Sequence, residues 1–313
     1  VDSLTHALLV ASLLTAIGAP ALIPFGILGA VILDADVLFY LISSKRPHLY
    51  IFIHGGAAHS IAGAAGMAIA TYGTVFLLLM TWEHFFQVTL PVTFNVLALV
   101  AVIAGAMIHV ALDFLASPGI PLFWPLEDTK YTIGIFAGPS VVMILISWAF
   151  IILFIVGVLP LSGLIAYGFI FLAYLAISAS VRVLAAQKIK GNTFPTINPL
   201  RWLVIEKDQN SWSLKFVDLR TGHDSGNRTW TANQGVPEGE LIRVSDIPEV
   251  RRVRYHSCFT IALRDGNGDI VIEDPSRMEG IIRYPPYYMS IILRQTNVGC
   301  WEPVAEKSRQ ICH

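Results

Sequence analysis

Charged residues are scarce in this sequence. Only 14% of its 313 residues are charged and 55% are apolar, where a soluble chain carries about a quarter charged. The shortage excludes an ordinary soluble protein and points to an integral membrane protein. With a formal net charge of −1, no basic field attracts nucleic acid, and none is expected as a partner. Cysteine is scarce as well. Cys258, Cys300 and Cys312 are odd in number and in no metal-type spacing. They read as reduced thiols, which suits a cytosolic C-terminal part. The absence of thiolates from the earlier part argues against a Cys-type structural zinc site there. No His-Glu-x-x-His helix is present, which argues against a metalloprotease. The start, "VDSLTHALLVASLL", has no basic residues before its apolar run, and further apolar segments follow. It is read as a first membrane segment and not as a cleaved signal peptide.

The charges that are present sit unevenly. Residues 1–190 hold six Lys/Arg and seven Asp/Glu, whereas residues 191–313 hold fifteen of each. The junction, "QKIKGNTFPTINP", is basic and contains Gly and Pro, so it reads as a linker. Before it lie about six apolar segments of near-spanning length, at 4–18, 21–42, 57–81, 92–115, 135–158 and 161–183. The first is short. Small residues in "GILGA" and "GGAAHSIAGAAGMAIA" allow close helix–helix approach in lipid. After the linker, "RWLVIEK" and "SWSLKFVDL" read as strands, "TIALRDGNGDIVIED" as a hairpin and "IPEVRRVRYHSCF" as a short helix. "DGNGD" from Asp265 has the look of a calcium loop, but its sixth position is Ile270 and its twelfth is Ser276, so a hairpin turn is expected. The expected fold is a polytopic α-helical membrane domain over 1–190, followed by a small β-rich (α+β) cytosolic domain over 191–313.

Threading six spans alternates the loops between two sides. One side receives the N-terminus, Lys45, Arg46, Lys130, Lys188 and Lys190; the connections on the other side contain no Lys or Arg. The positive-inside rule then puts the N-terminus, the basic loops and the C-terminal domain in the cytoplasm.

On that thread the ionisable residues converge. His6 begins the first span, Asp34 and Asp36 end the second, His54 and His59 flank the start of the third, and His109 and Asp113 end the fourth. All approach one side. Intramembrane ionisable groups are expensive, functional by default and partnered. His109 and Asp113 are i, i+4 and share a helix face. Gly55 and Gly56 let the chain turn between His54 and His59. Singly, each residue also reads as a helix cap or an interhelical hydrogen-bond group; together, imidazoles and carboxylates are the ligand set of zinc, and also suit iron or manganese. His6, Asp36, His59, His109 and Asp113 are the expected ligands of one or two divalent ions. Asp34 and Asp36, two apart on a continuous helix, would point about 200° apart and could not both face one centre. Asp36, nearer the end where the histidines gather, is preferred as the ligand. Glu83 and His84 fall on the opposite side and are not expected to be ligands. His48 is expected to be solvated, and His223, His256 and His313 to lie on the surface of the polar domain.

These motifs resemble a known family, the membrane-bound metal-dependent hydrolases, also called LexA-binding, inner-membrane-associated hydrolases. The resemblance rests on "DSLTHALL", "GAVILDADVLF", "HGGAAHS" and "HVALDFLASPGIPLFWP". The last is the most specific, pairing His-x3-Asp with Ser-Pro-Gly and an aromatic-Trp-Pro stretch. The linker "FPTINPLRW" and β-rich tail are similar to longer members. The chain departs from the usual pattern at Leu33, where Pro is common, at Gly55, where Arg is common, and at Ala58, where Thr is common. The resemblance implies an inner-membrane hydrolase whose metal-activated water attacks a phosphoester or carbonyl, with Asp34 or His54 carrying the proton. The His/Asp order is also similar to that of zinc-dependent phospholipase C, an analogy that suggests a lipid-like phosphoester. The expected partners are thus a membrane lipid or small-molecule substrate, with a protein partner for the C-terminal domain. Two rival readings use the same residues: a metal-ion or proton transporter, or a non-catalytic anchor that presents the C-terminal domain.

Overall fold

The computed structural model describes residues 2–87, 92–282 and 288–308. The chain separates into two compact units. The first is Val1–Tyr40, Phe52–Trp202 and Asp218–Gly222; the second is Leu41–Ile51, Leu203–Val217 and His223–His313. The division therefore differs from a single cut at residue 190. Residues past the expected linker stay with the first unit because the end of its last helix holds them. There Arg182 donates to the Thr193 hydroxyl at 3.0 Å and lies over the Trp202 ring, and Lys188 donates to the Leu219 carbonyl at 3.2 Å. Residues 41–51 join the second unit.

The first unit is helical. Its helices are α1 (Ser3–Ala16), α2 (Ile23–Ile32), α3 (Tyr40–Ser43, reaching into the second unit), α4 (Ile61–Phe86), α5 (Val96–Phe114), α6 (Val141–Ile155) and α7 (Leu164–Lys188). Polar residues fix where the apolar runs start: Asp2 accepts from Thr5 N–H at 3.0 Å, Ser60 from Gly63 N–H at 2.9 Å and Asn95 from Ala98 N–H at 2.9 Å. Between α2 and α3 the chain tightens into a 3-10 helix over Leu33–Phe39. Among the described residues, four helical segments are long and apolar enough to cross a membrane: Pro20–Ser43, Ile61–Phe86, Val96–Phe114 and Leu161–Lys188. Ser3–Ala16 and Val141–Ile155 are apolar but shorter. Leu77, Phe85, Leu145, Ile155 and Phe169 are exposed, a large apolar surface that suits lipid and would be a liability in water.

Two glycines allow α2 and α5 to touch. A Cβ on Gly29 would lie 1.9 Å from the Val102 carbonyl oxygen, and one on Gly105 would lie 2.1 Å from that of Gly26. This is small-residue packing, where backbones meet and dispersion replaces the hydrophobic effect. Phe25, Leu33, Ala64, Ala98 and Val102 complete a buried core among α2, α4 and α5. After α5 the chain folds back on itself, with Ile120 and Tyr131 bridged in antiparallel fashion. Gly119, at φ +95°, passes so close to the Tyr131 carbonyl that a Cβ would approach it to 2.6 Å. The Ser-Pro-Gly motif is therefore met by a backbone crossing at its glycine.

Strand β1 (Asn192–Pro195) follows α7. The second unit contains most of β2 (Arg201–Lys207), then β3 (Ser211–Asp218) and β4 (Asp224–Thr231), which are consecutive neighbours in one sheet, β3 and β4 antiparallel. A second sheet has five strands in chain order: β5 (Asn233–Gln234), β6 (Ile261–Arg264), β7 (Ile270–Glu273), β8 (Tyr288–Gln295) and β9 (Trp301–Ser308). Helices α8 (Glu238–Ser245), α9 (Pro248–His256) and α10 (Pro275–Met278) intervene. Val244, Val250 and Val253 pack on Ile270, Ile272 and Ile291 in its core. The "DGNGD" stretch is a hairpin turn between β6 and β7, as its missing calcium ligands imply. The Asp265 carboxylate accepts from Asn267 N–H at 2.8 Å and Asp269 N–H at 3.0 Å.

Candidate metal centre

Four parts of the first unit each deliver part of one cluster. His6 comes from the first turns of α1. Asp34 and Asp36 come from the 3-10 segment after α2. His54 and His59 come from the turns before α4, and His109 and Asp113 from the last turns of α5. All seven side chains expected from the sequence meet. His6, Asp36, His59 and His109 are fully buried, whereas the side chains of Asp34, Asp113 and His54 are 21%, 15% and 49% exposed. The cluster is thus walled on one side and open on the other.

His109 sets the direction of the donors. Its Nδ1–H donates to the Ala30 carbonyl at 2.5 Å, which in the neutral imidazole leaves the lone pair on Nε2. That Nε2 lies 3.1 Å from His59 Nε2, 3.2 Å from Asp113 Oδ2 and 3.5 Å from Asp34 Oδ1. A lone pair facing two carboxylate oxygens is repulsive unless a proton or a cation lies between them. The His6 ring stacks on His109 with centroids 3.8 Å apart, and its Nε2 is 3.4 Å from Asp113 Oδ1. Asp36 stands between two imidazoles: His54 Nδ1–H donates to its Oδ1 at 2.9 Å, and His59 Nδ1 lies 2.9 Å from its Oδ2. The Asp36 carboxylate holds the His54 imidazole above its usual range, with burial opposing.

The residues fit a metal. Among the described residues, three sets could hold an ion, with ligand atoms within 4.8 Å of one another: His6/His109/Asp113, Asp34/His59/His109 and Asp36/His54/His59. Both nitrogens of His6 are buried without a hydrogen bond among the described residues, Nε2 having only the Asp113 carboxylate at 3.4 Å, while Nδ1 of His59 and Oδ2 of Asp36 are buried with each other at 2.9 Å. Such groups are costly to bury unless something else binds them.

Asp34 and Asp36 both face the cluster, contrary to the expectation from a continuous helix. The 3-10 tightening is the reason: residues two apart then project about 120° apart instead of about 160°. The two carboxylates approach His59 from opposite ring nitrogens, Asp34 Oδ1 at 3.8 Å from Nε2 and Asp36 at Nδ1. Two participants were not anticipated. The Ser3 hydroxyl donates to Asp34 Oδ2, leaving Oδ1 for the imidazoles; Ser3 lies within the "DSLTH" motif, three residues before His6. The Ala30 carbonyl has no side-chain signature at all. Outside the cluster, Glu83 and His84 lie near the far end of α4, roughly 33 Å along the axis from its start. His48 and His223 are exposed. His256 is not a surface residue: it is 5% exposed, with its ring against Tyr255 and Tyr288. α9 packs on the sheet through this face, so the ring at its end is enclosed. His313 lies outside the described residues.

Comparison with known families places residues 1–186 in a family. The model of the family described as "YdjM inner membrane protein" covers residues 1–186. The chain belongs to this family. The matched span contains all seven clustered residues and stops before β1. The family description names an inner membrane protein and carries no catalytic statement. No curated protein and no solved structure matches the chain.

Proposed function

We propose that this member of the YdjM family is a multi-pass membrane hydrolase that uses divalent metal at the cytoplasmic face to cleave a phosphoester, lipid head groups being the favoured substrate class. The observation that carries the reading is the Nε2 of His109, aimed with its lone pair at Asp34, Asp113 and His59 while Nδ1 is committed to Ala30. Two of the three sets share no residue. His6, His109 and Asp113 would hold one ion; Asp36, His54 and His59 would hold another. Asp34 Oδ1, 3.5 Å from His109 Nε2 and 3.9 Å from His54 Nδ1, is suited to contribute to both. Zinc suits the donors best, with iron or manganese as alternatives. Such ions supply Lewis acidity and an activated water, and a pair of them suits phosphoester displacement.

The chain's own residues do the rest. Ser3 and Ala30 orient Asp34 and His109. Buried His6, His59 and Asp36 exclude water from behind. His54, half exposed where Asp36 and His59 are buried, opens the second set to solvent. Orientation is read from charge. If α1 and α6 also cross, Lys45, Arg46, Lys130, Lys188 and Lys190 share the side of the cluster, and no Lys or Arg lies on the other side. Head-group depth at that face supports a lipid phosphoester.

Metal analysis of the purified protein beside a His109→Ala, Asp113→Ala variant tests the metal reading. We expect bound metal in the wild type and a large loss in the variant; near-zero content in both sinks it. A screen of phosphoesters and phospholipids with zinc, manganese and iron tests hydrolysis. Metal bound without turnover on any of them favours the transport or anchor readings.

A further inference from the structure

The second unit contains a short piece of chain from far upstream, Leu41–Ile51. This piece joins the two limbs of the Asp36/His54/His59 set. Asp36 lies before it, His54 and His59 lie after it, and the hydrogen bond from His54 to Asp36 at 2.9 Å closes the loop at its base.

One helix of the second unit grips both stems of that loop. Arg252 of α9 donates from Nη1 to the carbonyls of Ser43 at 3.4 Å and Ser44 at 3.2 Å. Three residues on, and so on the same helix face, Tyr255 packs its ring on Tyr50 with centroids 5.3 Å apart. Arg252 is 3% exposed. Its remaining donors form a two-pronged pair with Glu306 of β9, Nε to Oε1 at 3.0 Å and Nη2 to Oε2, and its guanidinium lies over the Tyr288 ring. Burying a charge is expensive and adds little net stability. Here the buried fork holds a loop in one geometry, which is what a planar guanidinium with a fixed partner does well.

We propose that Arg252 is a positioning residue for the metal centre. With Tyr255, it fixes the stems of the 43–50 loop and thereby keeps Asp36 and His54 at ligand distance, so the C-terminal unit governs occupancy of the Asp36/His54/His59 set. The inference rests on the metal reading above. It assigns the domain beyond the family-matched span a task at the site.

The test uses the full chain in detergent or lipid and loads it with cobalt(II), whose visible spectrum reports coordination geometry. Arg252→Ala is compared with Tyr50→Ala, which alters the loop side alone and leaves the Arg252–Glu306 pair in place. We expect at least a tenfold weaker affinity for one ion and an altered spectrum in both. The loss should match that of His54→Ala and should not deepen when Arg252→Ala is combined with His54→Ala. Should Arg252→Ala not fold, Tyr50→Ala decides. Wild-type affinity and spectrum in the variants that fold overturn the inference while leaving the metal centre standing. A wild-type protein that binds no cobalt overturns the metal centre itself.

Discussion

His59 and His109 each belong to two of the three candidate ligand sets, whereas His6, His54, Asp34, Asp36 and Asp113 belong to one each. In the two-ion arrangement His54 and His59 serve the same ion. Replacing either by Ala should therefore remove about one ion per chain, measured by elemental analysis at equal protein, and leave the ion of His6, His109 and Asp113 in place. Loss of both ions from either variant would mean that the sets do not act as separate sites. At this scale the residue types and their order were readable, because polar groups in an apolar run stand out. The joint use of Asp34 and Asp36 was not. Their directions depend on a local change from 3.6 to about three residues per turn, and with Leu33 in place of a helix-loosening Pro no residue in "VILDADVLF" announces that change. The Ala30 carbonyl was equally silent, since every residue has one.

Between elements, contact depends on what is missing from a side chain. Gly29 and Gly105 let α2 and α5 meet backbone to backbone, and that contact puts the Ala30 carbonyl beside His109. Gly29→Ala or Gly105→Ala should force the helices apart at a cost of about 1–3 kcal/mol, lowering the thermal midpoint in detergent and metal content together. Gly66→Ala on α4, where an added Cβ meets nothing within 4 Å, should leave both unchanged or slightly improved. A second contact between helices is polar. Thr5 of α1, Ser147 of α6 and Tyr167 of α7 form a buried chain, with the two hydroxyl contacts at 3.1 and 2.7 Å. Tyr167→Phe removes one end of it and should cost about 1 kcal/mol, read as a lowered midpoint without loss of metal. The Gly- and Ala-rich stretches advertised close packing in general. Which glycine met which carbonyl came from helix registers that no single segment encodes.

Across the whole molecule, the threading proposed from charge makes a prediction about sides. In a chain whose native cysteines are replaced by serine, single cysteines near Glu83 and near Lys188 should react with an impermeant thiol reagent from opposite sides of the membrane. Reaction from the same side would overturn the six-crossing arrangement. Composition and periodicity by themselves determined that the chain has an apolar helical part and a polar β-rich part, and that seven His and Asp residues lie in or beside apolar segments of the first part. These are properties of local runs, set by which residues can be left in lipid and by strict helical spacing. Only the tertiary structure decided that the 41–51 loop joins the C-terminal unit, since that depends on Arg252 and Tyr255 finding partners about two hundred residues upstream. It alone decided the pairing of nitrogens and oxygens in the cluster as well, because a helix segment carries its ligands along its own axis but cannot say which face its neighbours will turn towards it.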